Sequence, residues 1–418
     1  MRRRVRFTRR KIERISRTAT LGGLFLSFFK IGLVGFGGGI AVLAMIRNVT
    51  VRKRRWLTDS EFVEAVALAQ SLPGTSAGNS VTYIGVRLRG WRGAAAAMCG
   101  FILPSMIMMI LLAIMYKHVR DLSGTQRFFH GLNGAVVALI LVTAWRMGKN
   151  ILTRRWQWML AVLSFLAVAI LNATVLEVVF AAGLIGIYID SFAEKQWRQW
   201  RTLRTIVARR RARIRTRLAK QRRSTTFKSI SLFALAMPIA AKLGLLITLA
   251  AICLRMGSVT FGGGLVMIPL IESEVVDTHH WLTHQEFADA TALGQITPGP
   301  VLITATFVGY RVAGTLGALV ATISIFLPAF LMTIAAASSL RRFRNNEQVQ
   351  AFLRGIAPAV VGLLVAAALS IGRSGIHSWV GLSIMLLAMF TLIRFRPNAF
   401  WVIFGAGMLR FVIGLFLA

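Results

Sequence analysis

The sequence predicts an all-α polytopic membrane protein made of two homologous helical repeats, and three observations carry the prediction. Hydrophobic residues make up 56% of the 418, against roughly 45–50% in ordinary soluble domains, and the mean hydropathy is +0.67. Apolar runs recur along the whole chain at lengths suited to a bilayer, which takes about 20 residues. One pattern, Phe-Gly-Gly-Gly, occurs twice inside such runs, at Phe36–Gly39 and Phe261–Gly264.

The runs are, in order, Leu21–Ile46, Ala94–Tyr116, Leu132–Gly148, Leu160–Ile189, Ile230–Leu254, Val301–Val308 continuing through Gly314–Ala337, Ile356–Ile371 and Val380–Leu417. Those starting at Leu160 and Val380 are long enough for two short crossings, divided near Asn172 and near Pro397-Asn398. The reading is about ten to twelve membrane segments, with broken or re-entrant helices among them. The N-terminus is basic and then apolar, like a signal sequence. Its apolar part is too long and lacks a small-x-small cleavage site, so it reads as a retained first helix.

Lys and Arg number 50 against 14 Asp and Glu, a formal net charge of +36. A chain this basic suggests nucleic acid first. Here the charge collects at the edges of apolar segments, at Arg2–Arg17, Arg47–Arg55, Arg146–Arg155 and above all Lys195–Lys228. Such clusters mark cytoplasmic loops and attract anionic lipid headgroups, so no nucleic-acid partner is expected. Cys99 and Cys253 both lie in apolar segments and read as small buried hydrophobes. They give no disulfide framework and no metal spacing, and no cofactor is expected.

The repeats set the domain organisation. Phe36 pairs with Phe261, 225 positions on. At that offset Lys30 meets Arg255, Trp56-Leu57-Thr58 meets Trp281-Leu282-Thr283, and Glu61 meets Glu286. Glu64 meets Asp289, Gln70 meets Gln295, and Pro73-Gly74 meets Pro298-Gly299. After one slip the offset is 224, matching Gly85 to Gly309, Arg87 to Arg311, Pro104 to Pro328 and Gly148 to Gly372. This divides the chain into a basic tail at 1–19, a first repeat at 20–190, a basic cytoplasmic linker at 191–228 and a second repeat at 229–418. In the linker Trp197, Trp200, Leu203 and Val207 share one helical side. That suits an amphipathic helix on the membrane surface, or simply a solvated basic linker. The loop after the first glycine motif is basic (Arg47, Arg52, Lys53, Arg54, Arg55) and its counterpart is acidic (Glu272, Glu274, Asp277), which suggests opposite membrane sides and inverted repeats. A cytoplasmic N-terminus and linker require an even number of crossings in the first repeat, which does not reconcile cleanly with inversion.

Candidate site residues follow from matched, costly features. Three consecutive glycines, Gly37, Gly38 and Gly39 or Gly262, Gly263 and Gly264, weaken a helix by about 0.5–1 kcal/mol each against Ala. They allow close backbone approach, to a ligand or to a neighbouring helix. Six residues before each motif's phenylalanine stands a cation, Lys30 or Arg255, which either faces an anion or snorkels. Pro73-Gly74 and Pro298-Gly299-Pro300 end one half-helix and begin another. The new N-terminus then offers N–H groups and a positive dipole end, flanked by Gln70, Thr75, Ser76 and Asn79 or by Gln295, Thr297 and Thr304. Thr58 with Glu61 and Thr283 with Glu286 read as capping boxes. Glu64 and Asp289 are either proton carriers or helix-dipole partners, and Arg87 and Arg311 either interfacial anchors or anion ligands. His279, His280 and His284 lack further ligands in convincing places for zinc. No nucleophile–base set or phosphate-binding loop appears, so an enzyme is not expected.

The second repeat, with Phe261-Gly-Gly-Gly, Trp281-Leu-Thr, Glu286-Phe, Ala292-Leu-Gly-Gln-Ile-Thr-Pro-Gly-Pro-Val301 and Gly309-Tyr-Arg, resembles the chromate ion transporter family in its two-domain, long-chain form. The first repeat carries a degenerate copy, Leu68-Ala-Gln-Ser-Leu-Pro-Gly-Thr75, with Thr75 where the family pattern expects proline. The resemblance implies export of chromate, or a sulfate-like oxyanion, across the bacterial inner membrane, driven by membrane potential or a proton gradient. A homodimer is one assembly open to such a chain. Rival readings are a sulfate uptake system, an anion channel, or a membrane scaffold acting through its basic linker.

Overall fold

The computed structural model describes residues 19–36, 38–120, 122–171, 173–202, 237–260, 264, 267–338, 347–376 and 378–416. The N-terminal tail, most of the linker with its Leu203 and Val207, and Gly37, Gly262 and Gly263 lie outside the described residues. Regular structure among the described residues is helical throughout, as expected for an all-α chain.

The first repeat contributes α1 (Leu21–Val34), α2 (Gly38–Arg47, running into a π turn at Asn48–Lys53), α3 (Asp59–Ser71), α4 (Ser76–Val119), α5 (Ser123–Ile151), α6 (Arg155–Ala169) and α7 (Val175–Thr202). The second gives α8 (Met237–Val259), α9 (Met267–Glu272, running into a π turn at Ser273–Thr278), α10 (His284–Ile296), α11 (Thr304–Ser338, preceded by a 3-10 turn at Val301–Ile303), α12 (Glu347–Gly375), α13 (Trp379–Arg394) and α14 (Ala399–Phe416). Each helix thus has its counterpart seven places on.

The starts of α3 and α10 are set by local chemistry. Thr58 accepts from the Glu61 N–H at 3.2 Å while Glu61 accepts from the Thr58 N–H at 2.9 Å. Thr283 and Glu286 repeat the box. Both helices stop at the Pro-Gly steps, so the polar stretches 60–86 and 285–309 form helix–elbow–helix hairpins. The returning arm then reverses a second time, at Gly90 (φ 62°) and at Gly314 (φ 65°). A Cβ on Gly85 would lie 2.5 Å from the Gly93 carbonyl oxygen, and one on Gly309 would lie 2.3 Å from that of Gly317. Eight residues of straight helix would hold these pairs about 12 Å apart.

Packing exchanges elements between the repeats. α1 lies on α4 and α8 on α11, each within its own repeat, while α5 packs on α13 and α14, and α12 on α6 and α7. The equivalent helices α5 and α12 meet antiparallel, with Gly375 against Asn133, Gly372 against Val137 and Gly148 against Val361. A two-fold rotation that relates antiparallel neighbours has its axis perpendicular to both. For helices that cross a bilayer this is the geometry of inverted repeats.

Among the described residues, five helices are long and apolar enough to cross a membrane, over Ser76–Val119, Gly124–Ile151, Val301–Ala337, Gln350–Gly375 and Ala399–Phe416, and five further apolar helices are shorter. Large apolar side chains stand exposed on the outside of α6, α7, α13 and α14, among them Leu163, Leu184, Leu387 and Trp401. In water such a surface would aggregate, whereas lipid requires it. Cys253 is buried as expected, but Cys99 is exposed, lining an apolar groove between α4 and α11 with Ile102, Ile323 and Phe326.

Candidate functional site: two crossed elbows

The two Pro-Gly elbows are built in the same way. α3 ends with Leu72 in an extended conformation, and Gly74 follows with φ 100°; the equivalent Gly299 has φ 108°. Both are in the left-handed region, where a side chain is strained. Each elbow is tied to the other repeat. The Gly74 N–H donates to the Thr260 carbonyl at 2.6 Å, and the Gly299 N–H donates to the Gly35 carbonyl at 3.1 Å. Gly35 and Thr260 are equivalent positions, each immediately before its Phe-Gly-Gly-Gly. The structure therefore brings together the two motif pairs that the sequence singled out, and it does so crosswise.

The side chains nearest the elbows are also equivalent and also cross. A Cβ on Gly74 would meet the Ala329 Cβ at 2.5 Å, and one on Gly299 would meet the Ser105 Oγ at 2.1 Å. Of the described triplet glycines, Gly264 backs onto the second elbow, where its Cβ would sit 2.7 Å from that of Val301. Gly39 has open space around it, and Gly38 opens α2. Pro73, Pro298 and Pro300 are buried.

The polar side chains differ between the two. At the first elbow Thr75 caps α4, accepting from the Gly78 N–H at 3.1 Å. Asn79 donates to the carbonyls of Pro73 at 2.8 Å and Ala69 at 3.2 Å, so its amide nitrogen braces the end of α3. Gln70 is exposed. At the second elbow Pro300 offers no side-chain cap. The Gln295 Nε2, the Ser105 Oγ and the Thr291 Oγ1 are buried without a hydrogen-bond partner. Sequence reasoning missed Ser105 and Thr291; the signal available was that each is a hydroxyl where the other repeat has an apolar residue, Ala329 and Val66.

The cations are not gathered at the elbows. Lys30 is exposed on α1, and Arg255 is half exposed and ion-paired with Glu274. The capping glutamates hold the arginines at the far ends of the hairpins. Glu61 meets Arg87 at 2.7 Å, and Glu286 meets Arg311 at 2.5 Å together with Arg120 from the end of α4. Glu64 is partly exposed, 4.0 Å from Arg87. Asp289 is buried and accepts three hydrogen bonds, from Tyr116 Oη at 2.7 Å, Asn133 Nδ2 at 2.8 Å and Gln285 Nε2 at 3.2 Å. It borders a small cavity of about 110 Å³ lined also by Arg120, Gln126 and His130. His284 lies 3.2 Å from Glu272 and 3.7 Å from Asp277, with His279 beside Glu274.

Comparison with known proteins agrees with this layout. The chromate transporter family matches residues 22–187 and again residues 247–411. A probable chromate transport protein of Synechococcus elongatus is 30% identical over 365 residues, covering 87% of each chain. A chromate transport protein of Cupriavidus metallidurans is 29% identical over 91% of this chain and 89% of its own. One of Pseudomonas aeruginosa is 31% identical over 84% of this chain and 80% of its own. No solved structure matches.

Proposed function

The chain belongs to the chromate transporter family, and from that premise we propose that it is a secondary transporter that exports an inorganic oxyanion, chromate first, from the bacterial cytoplasm. As a member of that family it is a multi-pass membrane transporter. The observation that carries the proposal is the crossed pair of elbows. Two broken hairpins are each latched to the residue before the glycine motif of the opposite repeat, so the helix breaks of the two repeats are tied together crosswise. Transporters built on repeats bind substrate at such broken helices and expose it alternately to each side.

The direction rests on electrostatics. A dianion leaving an inside-negative cell through 100 mV gains about 4.6 kcal/mol, at about 2.3 kcal/mol per charge. That supports a gradient of more than about a thousandfold and requires no coupling ion. A proton-coupled cycle would use Glu64 or Asp289. Lys30, being exposed, offers its charge to the anion away from the elbows, while Arg255 is paired with Glu274. The N-terminal tail and the basic linker face the cytoplasm, with the linker against anionic lipid.

The test is chromate accumulation in a sensitive bacterial host, with and without excess sulfate. Expression of the wild type is expected to lower accumulation, and expression of Gly74→Val with Gly299→Val, at equal membrane levels, to leave it high. Accumulation unchanged by the wild type would remove chromate as substrate.

A further inference from the structure

The two elbows are copies in backbone but not in chemistry, and we infer that the oxyanion is bound at the second elbow alone, by Ser105, Gln295 and the N–H groups that open the helix after Pro300, while the first elbow has become structural. This rests on the oxyanion-transport reading and goes beyond it in assigning the binding to one elbow.

Four equivalent positions differ in the same sense. Thr75 caps the Gly78 N–H with its own hydroxyl, whereas the equivalent Ile303 N–H closes a 3-10 turn onto the Pro300 carbonyl at 3.0 Å and no side chain caps the N–H groups before it. The first N–H groups of a helix need a partner from outside it, and an anion is the natural one. Asn79 fills the first elbow with its amide, donating to carbonyls of α3 and the elbow itself. At the second elbow Thr304 donates only to its own Val301 at 3.0 Å. Ala329 lies against Gly74, but Ser105 lies against Gly299. Ser105 is fully buried and its Oγ has no partner. Gln295 likewise keeps a buried Nε2 without a partner, whereas the equivalent Gln70 is exposed. Thr291, fully buried with a free Oγ1, lies one helical turn before Gln295.

Buried donors are normally satisfied, and each orphan calls for an explanation. One orphan is an accident of packing. A hydroxyl, an amide and a helix start without a side-chain cap around one elbow, each replaced by a satisfied, apolar or exposed group around the other, form a donor set awaiting an acceptor. A tetrahedral oxyanion offers four acceptor oxygens and no obligatory donor, so it matches a site made of neutral donors and a helix dipole.

The experiment is titration calorimetry of the purified full-length protein in detergent with sodium chromate and, separately, sodium sulfate, paired with concentration-dependent chromate uptake into inverted vesicles. One site per chain is expected. Ser105→Ala, which copies the residue the other elbow already has, and Gln295→Ala are each expected to raise Kd at least about tenfold, the usual order for losing a hydrogen bond to a charged group. Gln70→Ala is expected to shift Kd by less than a third of the Gln295→Ala effect, and Ala329→Ser to leave it unchanged. Two equal sites per chain, or equal shifts from Gln70→Ala and Gln295→Ala, would overturn this inference and leave the transport reading intact. If Gln295→Ala proves unstable by size exclusion, Ser105→Ala alone decides, since an unshifted Kd there overturns the inference. Absence of any oxyanion binding by the wild type would overturn the transport reading itself.

Discussion

The backbone N–H of Gly299 donates to the carbonyl of Gly35 across 3.1 Å, joining the elbow of one repeat to the glycine motif of the other. Gly299 can do this because φ is 108° and because no Cβ stands between it and the Ser105 Oγ. An alanine there meets two separate penalties, left-handed strain of about 1 kcal/mol and a clash that displaces Ser105. Gly299→Ala is therefore expected to destabilise the protein by about 2 kcal/mol or more and to reduce transport at least about tenfold. Ser105→Ala added to it should recover part of the stability but little of the transport. Thermal unfolding in detergent and vesicle uptake measure the two effects, and full recovery of both would show that the clash alone matters.

The hairpins are closed by ion pairs of unequal weight. The Glu286 carboxylate, 7% exposed, is shared by Arg311 and Arg120, while Glu61, 19% exposed, is 2.7 Å from Arg87. Removing the buried Glu286 carboxylate leaves Arg311, 24% exposed, and Arg120, 38% exposed, without their partner; that costs less than the about 3–5 kcal/mol of a fully buried pair but more than the about 0–1 kcal/mol of a solvated one. Glu286→Gln is thus expected to lower the unfolding temperature several degrees more than Glu61→Gln. Equal shifts would mean that the Arg120 contact contributes nothing.

Asp289 separates two roles that its equivalent Glu64 cannot. Tyr116 and Asn133, both from the first repeat, donate to it, so it cross-braces the repeats whether or not it carries a proton. Asp289→Asn presents an amide where three donors already point and is expected to cost about 1–3 kcal/mol of stability. If the carboxyl also carries the coupling proton, potential-driven uptake into vesicles should survive the substitution while stimulation by a pH gradient disappears. Retention of that stimulation in Asp289→Asn would confine Asp289 to bracing and leave Glu64→Gln as the next variant to measure.

Much of this was legible in the sequence, for reasons that are local. Thr58 with Glu61 and Thr283 with Glu286 form capping boxes from residues three apart, and the Pro-Gly steps end helices wherever they occur. Repetition marks the two elbows in the sequence itself. What stayed hidden was pairing at a distance. Nothing within either repeat says that Gly74 bonds Thr260 rather than Gly35, because the two carbonyls are equivalent and only the crossed packing of the repeats chooses between them. Ser105 sits in an apolar run as a lone serine, unremarkable until Gly299 is seen against it. Lys30 and Arg255 are charges in apolar segments, and periodicity alone does not say that both are exposed and that only Arg255 is held by an acid, Glu274.

Inversion of the repeats has its own signature in one pair of contacts. Arg47 meets Asp59 at 2.7 Å in the first repeat, and at the equivalent positions Glu272 meets His284 at 3.2 Å in the second. The same contact is kept with the charges exchanged, and the neighbouring exposed residues, Arg52 and Asp277, differ in sign as well. Basic loops stay in the cytoplasm and acidic ones are free to cross, so the two contacts should lie on opposite sides of the membrane. Single cysteines at Arg52→Cys and Asp277→Cys, in a background with Cys99 and Cys253 replaced by serine and alanine, test this with a membrane-impermeant maleimide. The label is expected to reach Asp277→Cys in intact cells and Arg52→Cys only in inverted vesicles. Labelling of both from one side would place the two-fold axis along the membrane normal, and the antiparallel meeting of α5 with α12 could then not be a contact between two membrane-crossing helices.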